Sequence, residues 1–384
     1  MSLRQREVVA LLFALYGTWF SIGIYGLFLQ LYAFYVIGAT NLLVSLLATV
    51  YFASNAPASI IGGYLIDKYG KAKLLLLLSL TLLAVSNFIT PLVKDGYYLL
   101  FIRVLQGCST AIIIPLVNLV GARLMGTGRG VGTVNMFGAL GFATAGVIGG
   151  FLADYISYVP LFYLSGLVVA LGFINMLLLP KDAYNSIGAE RIKISYLKKI
   201  SISIWIIYIA FFLRYVAAGG IWSLFSLFVF TIGGNNFYVG ILQAINTFTQ
   251  VLIFRKIGEI SEGRGLQVFK IGILLSVVVF ISYYLSTNVM QILPFQVVLG
   301  VSWVAIYAGA NVYIIENTPK EIQGTALGLL NMVNALSWII GSAVNGYLSD
   351  IYYDYRVYIL LGIIISFLGY LLVEVYYHFR RQAI

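Results

Sequence analysis

Twelve long apolar runs, separated by short polar links, constrain the fold of this chain more than any other feature of its sequence. A helix needs roughly 20 apolar residues to cross about 30 Å of hydrocarbon. Backbone polar groups cannot stay unpaired in lipid, and the ten-residue alternation of barrel strands is absent. The sequence therefore predicts an all-α polytopic membrane protein in which the long first and seventh helices tilt or break. The runs span about 8–36, 41–66, 74–94, 97–121, 131–154, 158–180, 202–231, 236–257, 266–287, 290–315, 324–349 and 355–378.

Composition narrows the chemistry that such a chain can perform. The 384 residues are 61% hydrophobic and 9% charged, with one cysteine, Cys108, and one histidine, His378. A single cysteine forms no internal disulfide, and a single histidine builds neither a metal cluster nor a Ser/His or Cys/His catalytic pair. No G-x-x-x-x-G-K-S/T nucleotide loop is present. We therefore expect no enzyme activity, no cofactor and no metal, and we expect energy to come from a gradient rather than from ATP.

The basic residues lie mainly on the side of the N-terminus. Of the 23 lysines and arginines, nineteen fall there, Lys94 and Arg356 fall on the opposite side, and Arg103 and Arg214 fall inside apolar runs. The positive-inside rule then places both termini in the cytoplasm of a multi-pass cell-membrane protein. The same asymmetry accounts for the net charge of +10 without a nucleic-acid partner. The first run is too long for a signal-peptide core, so we expect it to remain as a span.

The two halves of the chain resemble each other. A shift of 195 residues aligns Val-Ile-Gly-Ala-Thr-Asn at 36–41 with Thr-Ile-Gly-Gly-Asn-Asn at 231–236, and a shift of 196 aligns Asp154 with Asp350. Six helices in each copy keep both copies in one topology, as in transporters whose repeats are related by an axis along the membrane normal. The sequence predicts one six-helix bundle at 1–180, a cytoplasmic linker at 181–201 and a second six-helix bundle at 202–384.

Three segments carry a resemblance that covers nearly the whole chain. Residues 63–73 read Gly-Tyr-Leu-Ile-Asp-Lys-Tyr-Gly-Lys-Ala-Lys, which is similar to a cytoplasmic G-x-L-x-D-R-x-G-R-R/K loop. Arg103-Val-Leu-Gln106-Gly107 matches R-x-x-Q-G, and residues 141–150 resemble the fifth-helix G-x-x-x-G-P-x-x-G-G pattern of antiporters, although Ala145 and Gly146 replace the Gly-Pro pair. The chain thus resembles a major facilitator superfamily transporter, which implies two pseudo-symmetric six-helix bundles.

Under this resemblance, residues 63–73 form part of a cytoplasmic gate. Asp67 is expected to face Gly324, at the start of the eleventh helix, and Arg123, at the cytoplasmic end of the fourth. The residue types in this segment fit such a gate. Glycine permits a close helix approach or a turn with positive φ, and aspartate can cap a helix N-terminus. The alternative is a loop that only fixes topology. With the corresponding positions of the second half, the predicted gate residues are Gly63, Asp67, Lys68, Gly70, Lys71, Arg123, Gly258 and Glu262.

Two arginines inside the apolar runs are the strongest substrate candidates, because a charge in hydrocarbon costs several kcal/mol and seldom persists without a role. Arg214 lies about ten residues, or roughly 15 Å, into the seventh helix. Arg103 lies in the outer half of the fourth helix, with Gln106 one turn away. Neither has an evident acidic partner, so the site should prefer anions or polar acceptors. The alternatives are a structural Arg214 that binds carbonyls freed by a helix break at 217–220, and a coupling or structural Arg103.

Polar and aromatic residues at helical spacing extend this prediction. Gln296, Gly300, Trp303, Tyr307 and Asn311 share one face of the tenth helix and suit a cavity wall, although such a stripe can also join helices. A similar stripe in the eighth helix, Gln243, Asn246 and Gln250, is interpreted as helix–helix contact. The resemblance places the first, fourth, seventh and tenth helices around the transport path. The full set of predicted substrate or cavity residues is Arg214, Arg103, Gln106, Trp222, Trp303, Tyr307, Asn311 and Tyr25.

Three functions remain open at this point. The first is a secondary or facilitative transporter of a small organic, anionic or polar solute that works by alternating access between the two halves. The second is a multidrug-efflux proton antiporter, and the third is a membrane receptor or scaffold without transport. The expected partners are a small-molecule substrate, a coupling proton or counter-transported ion, and membrane lipid. No nucleic acid is expected, and we expect a monomer.

Overall fold

The computed structural model describes residues 3–69, 71–125, 127–179, 201–319 and 322–382. Within these residues twelve helices are long and apolar enough to cross a membrane, and no strand occurs. The predicted twelve-helix, all-α fold is therefore confirmed. The helices are α1 Leu3–Leu27, α2 Asn41–Tyr69, α3 Ala72–Ile89, α4 Gly96–Met125, α5 Thr127–Tyr155, α6 Val159–Leu177, α7 Ile202–Ser223, α8 Asn236–Ser261, α9 Gly265–Leu285, α10 Val289–Glu316, α11 Gln323–Tyr352 and α12 Arg356–Gln382.

The first and seventh apolar runs break, which is one of the two outcomes, tilting or breaking, that their length predicted. After α1 the chain passes through Phe28 into a short helical turn, Leu29–Leu31, and a π-helical segment, Tyr32–Val36. After α7 it passes through Leu224, with φ −128° and ψ 14°, into the short helix Phe225–Thr231. Each run is therefore a long helix followed by a short one, with the break near the end of the run.

The position that the sequence suggested for the second break, residues 217–220, is wrong. These residues are helical and buried inside α7. Their small side chains permit close packing instead, since an added Cβ on Gly219 would lie 2.9 Å from Cα of Trp338, and one on Gly220 would lie 2.1 Å from Cζ of Tyr358. The Tyr358 hydroxyl also donates to the Val216 carbonyl at 2.7 Å. The glycines therefore serve contact with α11 and α12 rather than a break.

Contacts divide the chain into two compact units, one of Met1–Glu190 with Gly234–Ala244 and the other of Arg191–Gly233 with Ile245–Ile384. The first turns of α8 thus group with the first unit. Most of the predicted linker, residues 180–200, lies outside the described residues. The predicted bundle boundaries, 1–180 and 202–384, stay predictions.

The first unit is built around α1. This helix packs against α5 and α6, while α2 packs on α4, and α3 packs on both α4 and α6. Leucine, valine and alanine side chains fill the space between these helices. In a membrane, such side chains pack against the neighbouring helix instead of against lipid tails. Their buried core includes Leu11, Leu15, Leu76, Leu80, Ile113, Leu116, Val117, Val134, Val169 and Met176.

The second unit repeats this arrangement around α7. This helix packs against α11 and α12, and α9 packs on both α10 and α12, which are the equivalent neighbours. The chain also turns in the same way before α2 and α8. Gly38 and Gly233 have φ of +78° and +80°, a conformation that glycine adopts without steric cost, and each lies three residues before the asparagine that begins the helix. The internal repeat inferred from the sequence is therefore present in the backbone.

Asp154, at the end of α5, holds the beginning of α8 within the first unit. Its carboxylate accepts hydrogen bonds from the backbone nitrogens of Asn236 and Phe237, at 3.2 and 2.8 Å. Tyr158 lies beside this contact and donates its hydroxyl to Asn236 Oδ1 at 2.9 Å. Burial is the main reason why the pKa of Tyr158 is raised to about 12. The charge of Asp154 also raises this pKa, and the hydrogen bond to Asn236 lowers it in part. The hydroxyl is therefore protonated and able to donate at neutral pH.

Candidate functional site

Arg103 lies at the centre of a buried polar cluster in the first unit. The residue is 8% exposed. Its Nε donates to the Leu47 carbonyl at 3.2 Å, and one terminal nitrogen donates to Gln106 Oε1 at 2.8 Å. The guanidinium carbon lies 4.4 Å from the ring centroid of Tyr51 and 5.9 Å from that of Tyr25. The predicted residues Arg103, Gln106 and Tyr25 are thus brought together, and the aromatic faces favour the positive charge.

Asn87 joins this cluster to three other helices. Gln106 Nε2 donates to Asn87 Oδ1 at 2.9 Å, and Asn87 Nδ2 donates to the hydroxyls of Ser21 and Ser165, each at 2.9 Å. The four residues come from α1, α3, α4 and α6, and all four are buried. A polar network that is satisfied in this way fixes the relative positions of its helices.

The hydroxyls around Arg103 are themselves held by hydrogen bonds. Tyr25 donates to Thr90 Oγ1 at 2.7 Å, and the Tyr51 hydroxyl lies 2.8 Å from Thr110 Oγ1. Asn55 Nδ2 lies 3.3 Å from the same Thr110 oxygen. Tyrosine, threonine and asparagine side chains from α1, α2 and α4 therefore surround the arginine with polar groups of fixed orientation.

Arg214 lies at the centre of a second buried cluster, in the second unit. It is 1% exposed. Its Nε donates to Ser276 Oγ at 3.0 Å, the Ser276 hydroxyl lies 2.6 Å from that of Ser302, and Ser302 donates to the Gly272 carbonyl at 2.9 Å. The guanidinium carbon lies 4.5 Å from the ring centroid of Tyr215. Helices α7, α9 and α10 together position this cation.

Neither arginine has an acidic counter-ion in the part of the chain that the structure describes. The ion pairs found there are Arg255–Glu259 and Lys270–Glu374. Two further carboxylates near span ends are engaged elsewhere, since Glu316 accepts from the Gly263 backbone nitrogen at 2.8 Å and Asp354 from that of Arg356 at 2.9 Å. Arg103 and Arg214 therefore remain buried cations balanced by dipoles and aromatic rings.

The predicted stripe on α10 divides into two parts. Trp303 and Tyr307 stack face to face, with ring centroids 5.3 Å apart and planes within 5°, and Asn311 donates back to the Tyr307 carbonyl of its own helix at 2.6 Å. Gln296, in contrast, is fully buried and donates to the Tyr283 hydroxyl at 2.7 Å, and Gly300 packs against α8. The first part presents aromatic surface, and the second joins helices.

Trp222 lies at the break after α7. Its ring centroid is 4.4 Å from that of Phe225, the first residue of the short helix that follows. The guanidinium of Arg214 contacts Ser276 and Tyr215 rather than Trp222. The structure thus separates these two predicted residues into different contacts.

The predicted cytoplasmic gate is described only in part. Gly70 and the side chains of Asp67, Lys68, Arg123 and Gly324 lie outside the described residues. Lys71 and Glu262 are exposed. An added Cβ on Gly63 or Gly258 would meet no described atom within 4 Å, so the close helix approach suggested for Gly63 is not seen. The gate stays a prediction.

Lys73, the last residue of the 63–73 segment, behaves differently from the other lysines. It is 6% exposed, and its Nζ donates to the carbonyls of Leu177, at 3.2 Å, and Leu179. A cation at this place satisfies carbonyls at the end of α6 and opposes the negative end of the helix dipole. Lys73 therefore ties the beginning of α3 to the end of α6.

Sequence reasoning missed several residues that build both clusters. In the Arg103 cluster they include Asn87, Ser21, Ser165 and Tyr51, and in the Arg214 cluster they are Ser276, Ser302 and Tyr215. Each lies within an apolar run, and only Tyr215 and Ser302 adjoin a predicted residue, Arg214 and Trp303 respectively. A search for isolated hydroxyls in the middle of spans would have selected Ser276 and Ser302, although it would not have shown that they lie beside Arg214.

Comparison of the sequence with known families gives one clear match. The profile described as Major Facilitator Superfamily matches residues 11–342 and again 207–383. The uncharacterised MFS-type transporter MJ1560 of Methanocaldococcus jannaschii is 24% identical over 391 residues, covering 96% of this chain and 99% of that protein. The quinolone resistance protein NorA of Staphylococcus aureus is 25% identical over 351 residues, covering 88% and 89%.

Solved structures share the fold. A mutant of the nucleoside transporter NupG superposes with a TM-score of 0.82 at 15% identity, covering 97% of this chain and 99% of that one. An inward-facing bacterial homologue of the lysosomal transporter Spinster gives a TM-score of 0.74 at 14% identity, covering 97% and 96%. Together with the twelve apolar helices and the repeated six-helix arrangement, the profile match shows that this multi-pass membrane protein belongs to the major facilitator superfamily of transporters.

Proposed function

We propose that this chain is a secondary or facilitative transporter of a small anionic or polar organic solute, working by alternating access between its two halves. The observation that carries the proposal is Arg214, a cation 1% exposed in the middle of α7 without an acidic partner among the described residues. A charge in this position costs several kcal/mol in a membrane protein and commonly marks a substrate or ion pathway.

Arg103 supports the same proposal from the first unit. It is also buried without a described carboxylate partner, and it lies among the hydroxyls and amides of Tyr25, Gln106 and Asn87. Two buried cations favour anionic or hydrogen-bond-accepting solutes and disfavour cations. The stacked rings of Trp303 and Tyr307 would suit the apolar part of an organic anion.

The described carboxylates limit the coupling mechanism. Glu316 binds the Gly263 backbone and Glu374 pairs with Lys270, so neither lies free in the middle of a span. This favours anion exchange or facilitated diffusion over coupling through a central carboxylate. We propose that Asp67 and Glu262 are the anions of two cytoplasmic gates, as the sequence repeat suggests, and that both termini are cytoplasmic.

The test is solute flux into liposomes that contain the purified full-length chain. Radiolabelled benzoate, lactate and phosphate serve as anionic probes, and ethidium serves as a cation. A charge-assisted hydrogen bond contributes about 1.5–3 kcal/mol, so Arg214→Gln should lower flux of the transported anion about tenfold or more. Arg255→Gln is the control, because Arg255 is exposed and its only ion pair among the described residues is with Glu259 on its own helix. Anion flux that Arg214→Gln leaves unchanged would refute the proposal.

A second function, proton-coupled drug efflux, is favoured by one observation. Several of the similar proteins are quinolone resistance proteins named NorA, at 25–26% identity. Under this function, inverted vesicles would take up ethidium when a proton gradient is imposed, and an uncoupler would abolish the uptake. Ethidium uptake together with the absence of anion flux would select this function over the first.

A further inference from the structure

We propose that Arg214 presents its two terminal nitrogens, Nη1 and Nη2, as a two-pronged site for a carboxylate or phosphate oxyanion, and that Ser276 and Ser302 are positioning residues for this site. The inference rests on the proposed function, since it names the chemistry by which the solute is recognised. Neither serine adjoins a recognised motif, and both lie inside apolar spans.

The direction of every hydrogen bond in the serine chain is determined by the number of available hydrogens. Ser302 has one hydroxyl hydrogen, which it donates to the Gly272 carbonyl. The Ser302 oxygen therefore accepts at the 2.6 Å contact, and Ser276 donates its own single hydrogen there. Ser276 then has only acceptor capacity left for Arg214 Nε. The chain runs from Arg214 through both serines to a backbone carbonyl, and it is fully satisfied.

This chain binds only one of the three guanidinium nitrogens. No hydrogen bond joins Nη1 or Nη2 to any residue that the structure describes, whereas Nε is bound to Ser276. The side chain is 1% exposed, and its two terminal nitrogens carry four N–H donors from which no described residue accepts. An oxyanion that spans Nη1 and Nη2 supplies both acceptors and the missing negative charge.

The contacts of Arg214 fix the orientation of its planar guanidinium fork, which ends in Nη1 and Nη2, as well as its position. The Tyr215 ring lies 4.5 Å from the guanidinium carbon, and Tyr215 is itself stacked on Phe211, with ring centroids 4.2 Å apart. With Nε bound to Ser276 and the ring beside the cation, Arg214 retains little freedom to rotate. A pre-oriented planar fork matches the geometry of a carboxylate or phosphate better than that of a spherical anion.

Arg103 differs from Arg214 in that one of its terminal nitrogens is already bound. Its Nε is bound by the Leu47 carbonyl, and one of its terminal nitrogens is bound by Gln106. Gln106 takes one of the four terminal N–H donors of Arg103, so one of its two prongs is already engaged, whereas no described residue engages either terminal nitrogen of Arg214. The geometry therefore points to Arg214, rather than Arg103, as the two-pronged site.

The experiment compares matched probes on the full-length chain in detergent, by thermal shift, and in liposomes, by flux. Benzoate and benzamide have the same ring but differ in the oxyanion, and inorganic phosphate tests the second oxyanion class. Benzoate or phosphate should raise the unfolding temperature of the wild type, and benzamide should not. Because Lys lacks the fork, Arg214→Lys should weaken oxyanion binding about tenfold although it keeps the charge.

The serine variants test positioning. Ser276→Ala and Ser302→Ala should each raise the KM for flux of the bound oxyanion about three- to tenfold, because loss of one hydrogen bond costs about 0.5–1.5 kcal/mol. The maximal rate should change less. Ser366→Ala is the matched control, since Ser366 is fully buried in α12 and its Oγ has no partner among the described residues.

The outcomes separate this inference from the function on which it rests. If anion flux depends on Arg214 but Arg214→Lys binds benzoate and phosphate as the wild type does, the fork is refuted and the transport function stands. If Ser276→Ala and Ser302→Ala shift KM no more than Ser366→Ala, the positioning role is refuted. If the wild type carries no anion in any assay, the proposed function itself is refuted.

Discussion

Asp154 caps α8 through Asn236. One of its carboxylate oxygens accepts two hydrogen bonds from Asn236, one from the backbone nitrogen at 3.2 Å and one from the side-chain Nδ2 at 2.7 Å. The other oxygen accepts from Phe237 at 2.8 Å. The carboxylate thereby satisfies backbone donors that begin the helix and places negative charge at the positive end of its dipole. The contact links the end of α5 to the beginning of α8 within the first unit.

Asp154→Ala should therefore destabilise the protein by about 1–2 kcal/mol, the upper part of the range for loss of a helix cap. The measurement is thermal unfolding in detergent, followed by tryptophan fluorescence. Asp354→Ala is the control, because Asp354 accepts one backbone hydrogen bond, from Arg356, at the beginning of α12. An equal loss of stability in the two variants would contradict the role given to Asp154.

Removal of Asn87 should be costly for a different reason. Asn87→Leu leaves Gln106 Nε2 without its buried acceptor and removes the donor that binds Ser21 and Ser165. Each buried group left unsatisfied costs about 1–3 kcal/mol, so we expect a loss of about 2–4 kcal/mol in unfolding free energy. Asn175→Leu, at a partly exposed position of α6 where the amide donates only within its own helix, should change stability by less than about 0.5 kcal/mol. Urea unfolding that shows similar midpoints for the two variants would refute this prediction.

Gly220→Ala should show that residues 217–220 serve packing. The new Cβ would lie 2.1 Å from Cζ of Tyr358, so α7 and α12 would have to separate. Overpacking of this kind costs about 1–3 kcal/mol. Gly26→Ala, where an added Cβ meets no described atom within 4 Å, should cause no loss. Both can be compared by the unfolding temperature, and a Gly220→Ala protein as stable as the wild type would contradict the packing role.

Tyr158 should make stability depend on pH in the alkaline range. Its pKa in the folded protein, about 12, lies above the usual value of 10, so the folded state holds the proton more tightly. The resulting stability is present in full below pH 10 and is lost as the pH rises toward 12. The difference in unfolding temperature between wild type and Tyr158→Phe should therefore shrink over that interval. Tyr155→Phe, at an exposed neighbour, is the control, and a difference that stays constant from pH 9 to 12 would refute the prediction.

The fold could be predicted from the sequence because a membrane span must satisfy its own backbone hydrogen bonds and therefore forms a helix. The apolar run that such a helix needs is long enough to be recognised in the sequence. The place of the break after α7 could not be predicted. Gly219 and Gly220 resemble a hinge in the sequence, but their role depends on Trp338 and Tyr358, which lie more than a hundred residues away. Local small-residue patterns are ambiguous between bending and close contact.

The candidate site shows the same division. Gln106 lies three residues after Arg103, so their contact follows from helical spacing, and the hydrogen bond confirms it. Ser276 reaches Arg214 from α9 and Ser302 reaches Ser276 from α10, and nothing in the spacing of one helix identifies a partner on another. The buried arginines could therefore be found from the sequence, whereas the groups that orient them required the packed structure.

The two turns that precede α2 and α8 show which features the two copies of the repeat share. Gly38 and Gly233 occupy the same place in the repeat and adopt the same rare conformation, and the breaks at Phe28 and Leu224 also correspond, at a shift of 196. An ancestor of half this length would already have carried both features before it was duplicated. Arg214 has no such counterpart, because the matching position at the same shift holds Thr18. The framework of turns and breaks is thus common to both copies, whereas the arginine that we propose binds the solute is present in the second copy alone.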